Sequence, residues 1–493
     1  MKRADSLDTM RGLTIGMMVL CGSIITSVLP DWMAHCQVPP GRGFDPSIYG
    51  ITWVDLVFPF FLFAMGAAMP FSVGSRMERG ASGFRVLRDA IWRGLKLAYF
   101  AIFIQNCYPW IVKNYLDRPA DPGIWAFTIC AFIVLFLLFM RLPAGAPKWI
   151  RRLMPVAGLL ISCSMMGWLE SHVTLSADYL ATDPSAFDIF IKHVNNVLYK
   201  SNIIILVLGN MAAFGTVIYI LTMNKPMARI AILPFIMAIN LGSATADSWQ
   251  QAVFNWTPCG WLYRFDFLKY LFIIIPGTIA GEYLRNWIRQ SEDEAHRQIK
   301  GSSNDGVSTA TVAFLSLAVI AVNVILLFGR HLVANLFVTA AIIVLINGGA
   351  RRVGANLRVI PSLVKAGAYL LMLGLFFEAF EGGIRKDHAT YSYYFVTSGL
   401  AFYCLTLLFI ICDVYGWRKL MSPLTLAGRN PMIAYVATSM FFGPIFMILG
   451  IYDPLVEWGC TSWVTSMLFG LMFTALALGL AAIFSRLRLY WRT

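Results

Sequence analysis

Residues 31–72 read DWMAHCQVPPGRGFDPSIYGITWVDLVFPFFLFAMGAAMPFS, a polar loop that runs without a break into an apolar segment of membrane length. The loop carries one of six histidines, His35, between Trp32, Met33 and Cys36, and the segment after it opens on an ionisable residue, Asp55. Imidazole and carboxylate side chains at the mouth of a membrane helix are costly unless they are paired or do chemistry, so this stretch is where chemistry is expected. Pro59 frees a backbone carbonyl inside the same segment, and Gly66, Ala67 and Ala68 offer small surfaces for close helix packing.

The rest of the chain is of the same kind. Its 493 residues are 58% hydrophobic, 14% aromatic and only 13% charged, a composition of the membrane class. At roughly 20 apolar residues per crossing, the sequence holds about fourteen membrane segments and leaves little chain for a soluble domain. The expected fold is all-α, a polytopic helix bundle of about fourteen transmembrane helices with both termini cytoplasmic. It forms one domain, with one helical bundle over 1–285, a polar cytoplasmic linker over 286–308 and a second bundle over 309–493.

Charge fixes the orientation. The runs RMERGASGFRVLRDAIWRGLK at 76–96, RLPAGAPKWIRR at 141–152 and RRVGANLR at 351–358 are dense in the 39 Lys and Arg, whereas the intervening loops are nearly bare. Basic loops stay in the cytoplasm and face anionic lipid, which accounts for the formal charge of +13 without any nucleic-acid partner. The first apolar run is too long for a signal peptide and has no small-residue cleavage site behind it, so it is expected to remain as the first helix. The nine cysteines show no metal-ligand spacing; Cys36, Cys107, Cys259 and Cys460 fall on the outer side, where a disulfide is open to them. P-loop, GxSxG and HExxH motifs are absent, so either the bundle is the enzyme or the chain is not an enzyme.

Several further stretches carry polar chemistry. MKRADSLDTMRG opens the chain, and an Asp8–Arg11 pair one turn apart solves the cost of Arg11 at the start of an apolar run. The outer loop 171–201 is long and polar, with a surface helix expected over 185–200. Loop 243–265 sets Trp249, Trp256 and Trp261 beside Asp247, a combination suited to sugars, although an interfacial aromatic belt reads the same way. At 376–395, Glu378, Glu381 and His388 reach the outer mouth of the bundle, or the two carboxylates pair with Arg385 and Lys386 across the turn. Asp266 and Lys269 are spaced as an i, i+3 ion pair, and Arg429 and Asn430 precede Pro431 at the inner edge of a span, with Asn430 as helix cap or phosphate contact.

SLDTMRG at 6–12 and GITWVDLVFPFFLFAMG at 50–66 resemble the transmembrane acetyltransferases related to heparan-α-glucosaminide N-acetyltransferase, whose pattern is SLDxxRG followed by GLTxADLVFPxFxFxxG. The match is specific over the first 75 residues or so; FDFLKYLFIIIPGTIAGEYL at 265–284 and GRNPMIAYV at 428–436 are compatible with it more loosely. The resemblance implies a bundle that takes acetyl-CoA from the cytoplasm and acetylates an amino sugar of glucosamine type on the far side, in the bacterial inner membrane. It also implies a catalytic histidine in the first outer loop. Asp45 stands at the aligned histidine position, and Gly22 lies near the position of an assisting asparagine, so the role passes to His35 as a substitution in space.

N-acetylation needs a base for the attacking amine, and imidazole titrates near neutrality. His35 is therefore the expected catalytic base, with Asp45 or Asp55 to orient it. Direct transfer needs fewer steps than a relay through acetyl-His35 or acetyl-Cys36. Arg11, Arg76, Arg429 and Asn430 are the candidates for the polyanionic end of acetyl-CoA, and Trp249, Asp247, Glu378 and His388 for the acceptor; no metal site is expected. The expected partners are an amino-sugar or glycan acceptor and the bilayer, with a homodimer left open. Two other classes remain: a sugar or glycan transporter using Asp55, Asp266, Lys269 and Glu378 as its ion path, and O-acylation of a cell-surface glycan.

Overall fold

A chain this apolar has to satisfy its backbone within helices, and it does. The computed structural model describes residues 4–142, 145–181, 183–295 and 305–491, and these are mostly helical. Eleven helices among them are long and apolar enough to cross a membrane. The other three expected segments fall on Asp5–Ser23 and Gly83–Cys107, which carry charge at one end, and on the shorter Pro226–Gly242.

The helices that matter for the site are α1 (Asp5–Ser23), α2 (Val57–Met69), α3 (Gly83–Cys107), α4 (Lys148–Glu170), α5 (Ala186–Tyr199), α6 (Ile203–Leu221), α7 (Leu271–Ala295), α8 (Asp305–Phe328), α9 (Leu332–Arg351), α10 (Val359–Phe380), α11 (Tyr391–Phe409), α12 (Pro431–Ala437) and α13 (Trp463–Arg486). α11 is the innermost, buried along nearly its whole length against α10, α2 and α7. α4, α8 and α9 lie at the periphery, with Leu160, Phe314, Phe337 and Leu345 turned outward. That distribution places polar cavities among α1, α2, α3 and α6 rather than at the rim.

The expected linker over 286–308 is helical at both ends. α7 continues to Ala295, held by buried Ile288 and by Trp287 Nε1 donating to Asn356 O at 2.8 Å, and α8 begins at Asp305. Residues 296–304 lie outside the described residues. The surface helix expected over 185–200 is α5, started by a Ser185/Asp188 capping box. Its His193 and Asn196 both reach Glu170 at the end of α4, at 3.0 and 2.9 Å.

A two-residue antiparallel pairing, Met140 with Trp491 and Arg141 with Tyr490, folds the C-terminal tail back under the bundle. Asn430 secures it. Its Nδ2 donates to Ser485 Oγ and Leu489 O, and its Oδ1 accepts from Trp491 N. The side chain therefore does not cap the helix at Pro431, as the sequence pattern suggests, and both ends of its amide are taken up by the returning chain.

α2 and α7 touch backbone to backbone. A Cβ at Gly281 would stand 2.1 Å from Ala67 O, one at Gly277 2.4 Å from Phe63 O, and one at Gly66 2.4 Å from Ile274 O. Small residues at such crossings let backbones approach and gain dispersion contact. Gly281→Leu is expected to cost about 1–3 kcal/mol or more through overpacking and to lower the melting temperature in detergent. Gly479→Leu, where a Cβ meets nothing within 4 Å, is expected to melt with the wild type. Equal melting of both variants would contradict this packing.

Candidate functional site

Thr52-Trp53-Val54-Asp55 reads as a capping box, and it is one. Thr52 Oγ1 accepts from Val54 N at 3.3 Å while Asp55 Oδ2 accepts from Thr52 N at 3.0 Å, which starts the turn leading into α2. Cys36 N donates to the same Oδ2 at 3.3 Å. With Oδ2 committed to backbone, Oδ1 is left for His35 Nδ1 at 2.7 Å. Thr52 Oγ1 also donates to Ala34 O at 2.7 Å, which fixes the loop that presents the imidazole.

A third group joins them from far along the chain. Lys386 Nζ lies 3.0 Å from Nδ1 and 3.4 Å from Nε2 of His35, and 3.8 Å from Asp55 Oδ1. The Nδ1 proton is directed to the carboxylate, so the ammonium adds charge balance rather than a hydrogen bond at Nδ1. Lys386 thus offsets part of the buried Asp55 charge. With the proton on Nδ1, the ring's lone pair is at Nε2, on the side where Lys386 Nζ lies 3.4 Å away. Lys386 is held by its neighbours: Asp387 N donates to Gln37 Oε1 at 3.1 Å, Arg385 donates to Pro46 O at 3.1 Å and stacks on Tyr49, and Gly50 N donates to Ile384 O at 2.8 Å.

His35 opens into a cavity of about 360 Å³ with Cys21, Gly22, Ser23, Phe58, Gln105, Tyr108, Trp110, Asn202, Lys386, Tyr435 and Thr438 on its walls. At the other end of the same helices lies a larger cavity of about 960 Å³, lined by Arg11, Arg76, Arg79, Arg93 and Arg429 and by Asp8, Glu78 and Asp89. Both volumes are in the range of small-molecule sites. In the larger one Arg11 and Arg429 each stand 3.5 Å from Asp8, Arg76 stands 2.5 Å from Asp89 and holds its carboxyl below the usual range, and Glu78 is neutralised from outside by Arg285 and Arg289. The guanidinium groups outnumber the acids. Tyr490 and Trp491 of the returned tail complete its wall.

The two cavities share their walls. Arg11 and Met18 on α1, Phe58 and Met65 on α2, and Ile204 and Ala212 on α6 mark their facing ends. At about 1.5 Å of rise per residue, each pair is separated by about 10–12 Å. Between those marks the residues are largely buried on all three helices. π-type turns border both chambers, Pro70–Gly74 the basic one and Thr438–Phe442 the one with the histidine.

Other expected site residues lie elsewhere. Asp45 is at the surface, where Oδ1 accepts from Ser47 N and Oγ at 2.8 and 2.6 Å; these bonds lower its pKa, and it does not orient His35. Glu378 is buried against Arg330 at 2.7 Å, and Glu381 caps α11 through Tyr391 N and Ser392 N, so neither pairs across the turn. His388 is exposed on a left-handed backbone, Asp247 takes the same backbone form, and Trp249 is 65% exposed beyond the cavity. Asp266 and Lys269 do pair, at 2.5 Å. The four charges of the transporter reading are thus neutralised at three separate places. Asn202, Tyr435 and Trp110 were not singled out by sequence reasoning, and Lys386 only as a partner for Glu378 and Glu381.

Residues 3–284, more than half of the chain, match the model of the family described as "Domain of unknown function (DUF5009)". The chain belongs to the DUF5009 family. The DUF5009 match contains α1, α2, α3 and α6, and with them His35, Asp55 and most of both cavity walls. The chain is also similar to heparan-alpha-glucosaminide N-acetyltransferase of Homo sapiens, 36% identical over 95 residues, and of Mus musculus, 39% identical over 91 residues. These alignments cover 19% and 18% of this chain and 14% of each relative, so the chain spans about one-seventh of the curated relatives it matches.

Among the described residues all nine cysteines are free, so the outer disulfide does not form. Burial, and then the Asp55 carboxylate, push the Cys36 thiol up to about 12, and its Sγ lies 3.7 Å from Tyr49 O. At pH 8 about one molecule in ten thousand then carries the thiolate. Iodoacetamide is expected to leave Cys36 unmodified at pH 8 while alkylating exposed Cys259 and Cys460. Labelling of Cys36 at their rate, read by peptide mass spectrometry, would contradict this and would restore it as a nucleophile.

Proposed function

We propose that this protein is a transmembrane N-acetyltransferase that takes the acetyl group of acetyl-CoA from the cytoplasm and passes it to an amino sugar of glucosamine type on the far side. One observation carries the reading: two cavities of opposite character lie back to back along the same helices, and an oriented imidazole stands in the outer one. The basic cavity has the donor set for a polyanion, since Arg11, Arg76 and Arg429 present guanidinium groups suited to phosphates. The density of basic loops at that end supports a cytoplasmic position for it. Similarity to the N-acetyltransferases supports the reaction class.

In this reading the acyl donor's phosphates stay among the arginines and its thioester end crosses the thin partition. The acceptor amine attacks the thioester carbonyl, an N–C bond forms and the C–S bond breaks. His35 Nε2 receives the amine proton and returns it to the leaving sulfur. Asp55 keeps the imidazole in the tautomer with its proton on Nδ1. Direct transfer is favoured over a cysteine relay because the Cys36 thiol is held neutral. An O-acyl acceptor and a transported sugar are the competing outcomes.

The test is transfer of labelled acetyl from acetyl-CoA to glucosamine by purified protein. His35→Ala and Asp55→Asn are each expected to lower turnover by about 10²–10⁴ at unchanged elution on size exclusion. Asp45→Ala is expected to remain near wild type. Near-normal turnover by His35→Ala would remove the imidazole from the mechanism. Absence of any covalent product would favour transport, and product only with acceptors lacking a free amine would favour O-acylation.

A further inference from the structure

The histidine cavity holds polar capacity that the fold does not use. Asn202 is the N-cap of α6, and its Oδ1 accepts from Ile205 N at 3.3 Å and from Tyr435 OH at 3.1 Å. A backbone N–H can only donate, so the atom facing Ile205 is the carbonyl oxygen and the Nδ2 end is fixed on the other side. Its own backbone is tied as well, with Asn202 N donating to Ala101 O at 3.1 Å. No acceptor among the described residues takes the Nδ2 hydrogens, and Asn202 lines the cavity that holds His35. On the same walls, the buried hydroxyls Ser23 Oγ and Thr438 Oγ1 also have no partner among the described residues.

The other donors there are committed or free to rotate. Tyr435 OH is spent on Asn202, and Lys386 on Asp55 and His35. Hydroxyls turn freely about their C–O bonds. The Asn202 carboxamide is locked from two directions before any ligand arrives, which is the property that makes a donor effective where negative charge develops.

We propose that Asn202 Nδ2 is the oxyanion donor of acyl transfer in this cavity, an assignment that rests on the acetyltransferase reading above. When the acceptor nitrogen forms its bond to the thioester carbon, the carbonyl π pair moves onto oxygen and that oxyanion accepts from Asn202 Nδ2. The nitrogen's proton goes to His35 Nε2. Collapse re-forms the carbonyl, the sulfur leaves with the C–S pair, and it takes the proton back from the imidazolium. Tyr435 is a positioning residue, because its hydroxyl keeps the carboxamide from turning over.

The experiment compares Asn202→Asp with wild type in the purified full-length protein. An aspartate still accepts from Ile205 N and Tyr435 OH, so the helix cap survives and the melting temperature should stay with wild type. It cannot donate, and kcat should fall by about 10²–10³ while KM for acetyl-CoA changes by less than about threefold. Tyr435→Phe should lower kcat less, at the same KM. Asn202→Asp turnover within about threefold of wild type, or a loss that follows a lowered melting temperature, would overturn the assignment. A wild type that transfers no acetyl group would overturn the underlying reading and the assignment with it.

Discussion

A carboxylate that is 1% exposed at the mouth of a membrane helix must find a donor for each oxygen, and the site is built from how Asp55 meets that demand. One oxygen starts α2 through the capping box and anchors the loop at Cys36. The other holds His35. Lys386 arrives from the turn between α10 and α11 to balance the charge, and Tyr393 OH donates to the Asp55 carbonyl at 2.8 Å. Loop, helix entrance and distant turn are thus locked around a single buried charge, and the imidazole inherits a fixed tautomer.

The same helices that carry this cluster at one end carry arginines at the other. α1 runs from the basic chamber to the one with the histidine, and α2 and α6 both run back the other way. A donor bound by charge at the basic end and an acceptor held beside the imidazole need only cross a partition of about two helical turns. The proposed transfer across the membrane follows from that economy, since neither substrate has to traverse the bundle whole. The close glycine contacts of α2 with α7 hold one wall of both chambers in place.

Much of the architecture was legible in the sequence because lipid allows few solutions. Apolar runs of membrane length become helices, and basic loops collect at one end. His35 and Asp55 were legible because an imidazole and a carboxylate stood close together at a helix entrance. Long-range pairing was not. Lys386 lies 351 residues from His35, and its loop offers five ionisable side chains with no local sign of which one turns inward. Asn430 has the local pattern of a cap, yet its amide is claimed by a tail 55 to 61 positions later. Glu378 had cations nearby in sequence but took Arg330 from the α8–α9 turn. Trp249 followed a true tendency of tryptophan for interfaces, and that tendency says nothing about which aromatic faces the cavity. Trp110, stacked on Tyr108 at 4.5 Å, occupies the wall instead.

The central claim is that donor and acceptor enter from opposite ends of the bundle. It is tested most directly in sealed vesicles carrying the protein in one orientation, with labelled acetyl-CoA only on the side of the basic cavity and glucosamine only on the side of His35. The account predicts N-acetylated sugar on the His35 side while free coenzyme A thiol accumulates on the other. Product formed only when both substrates share a side would contradict it.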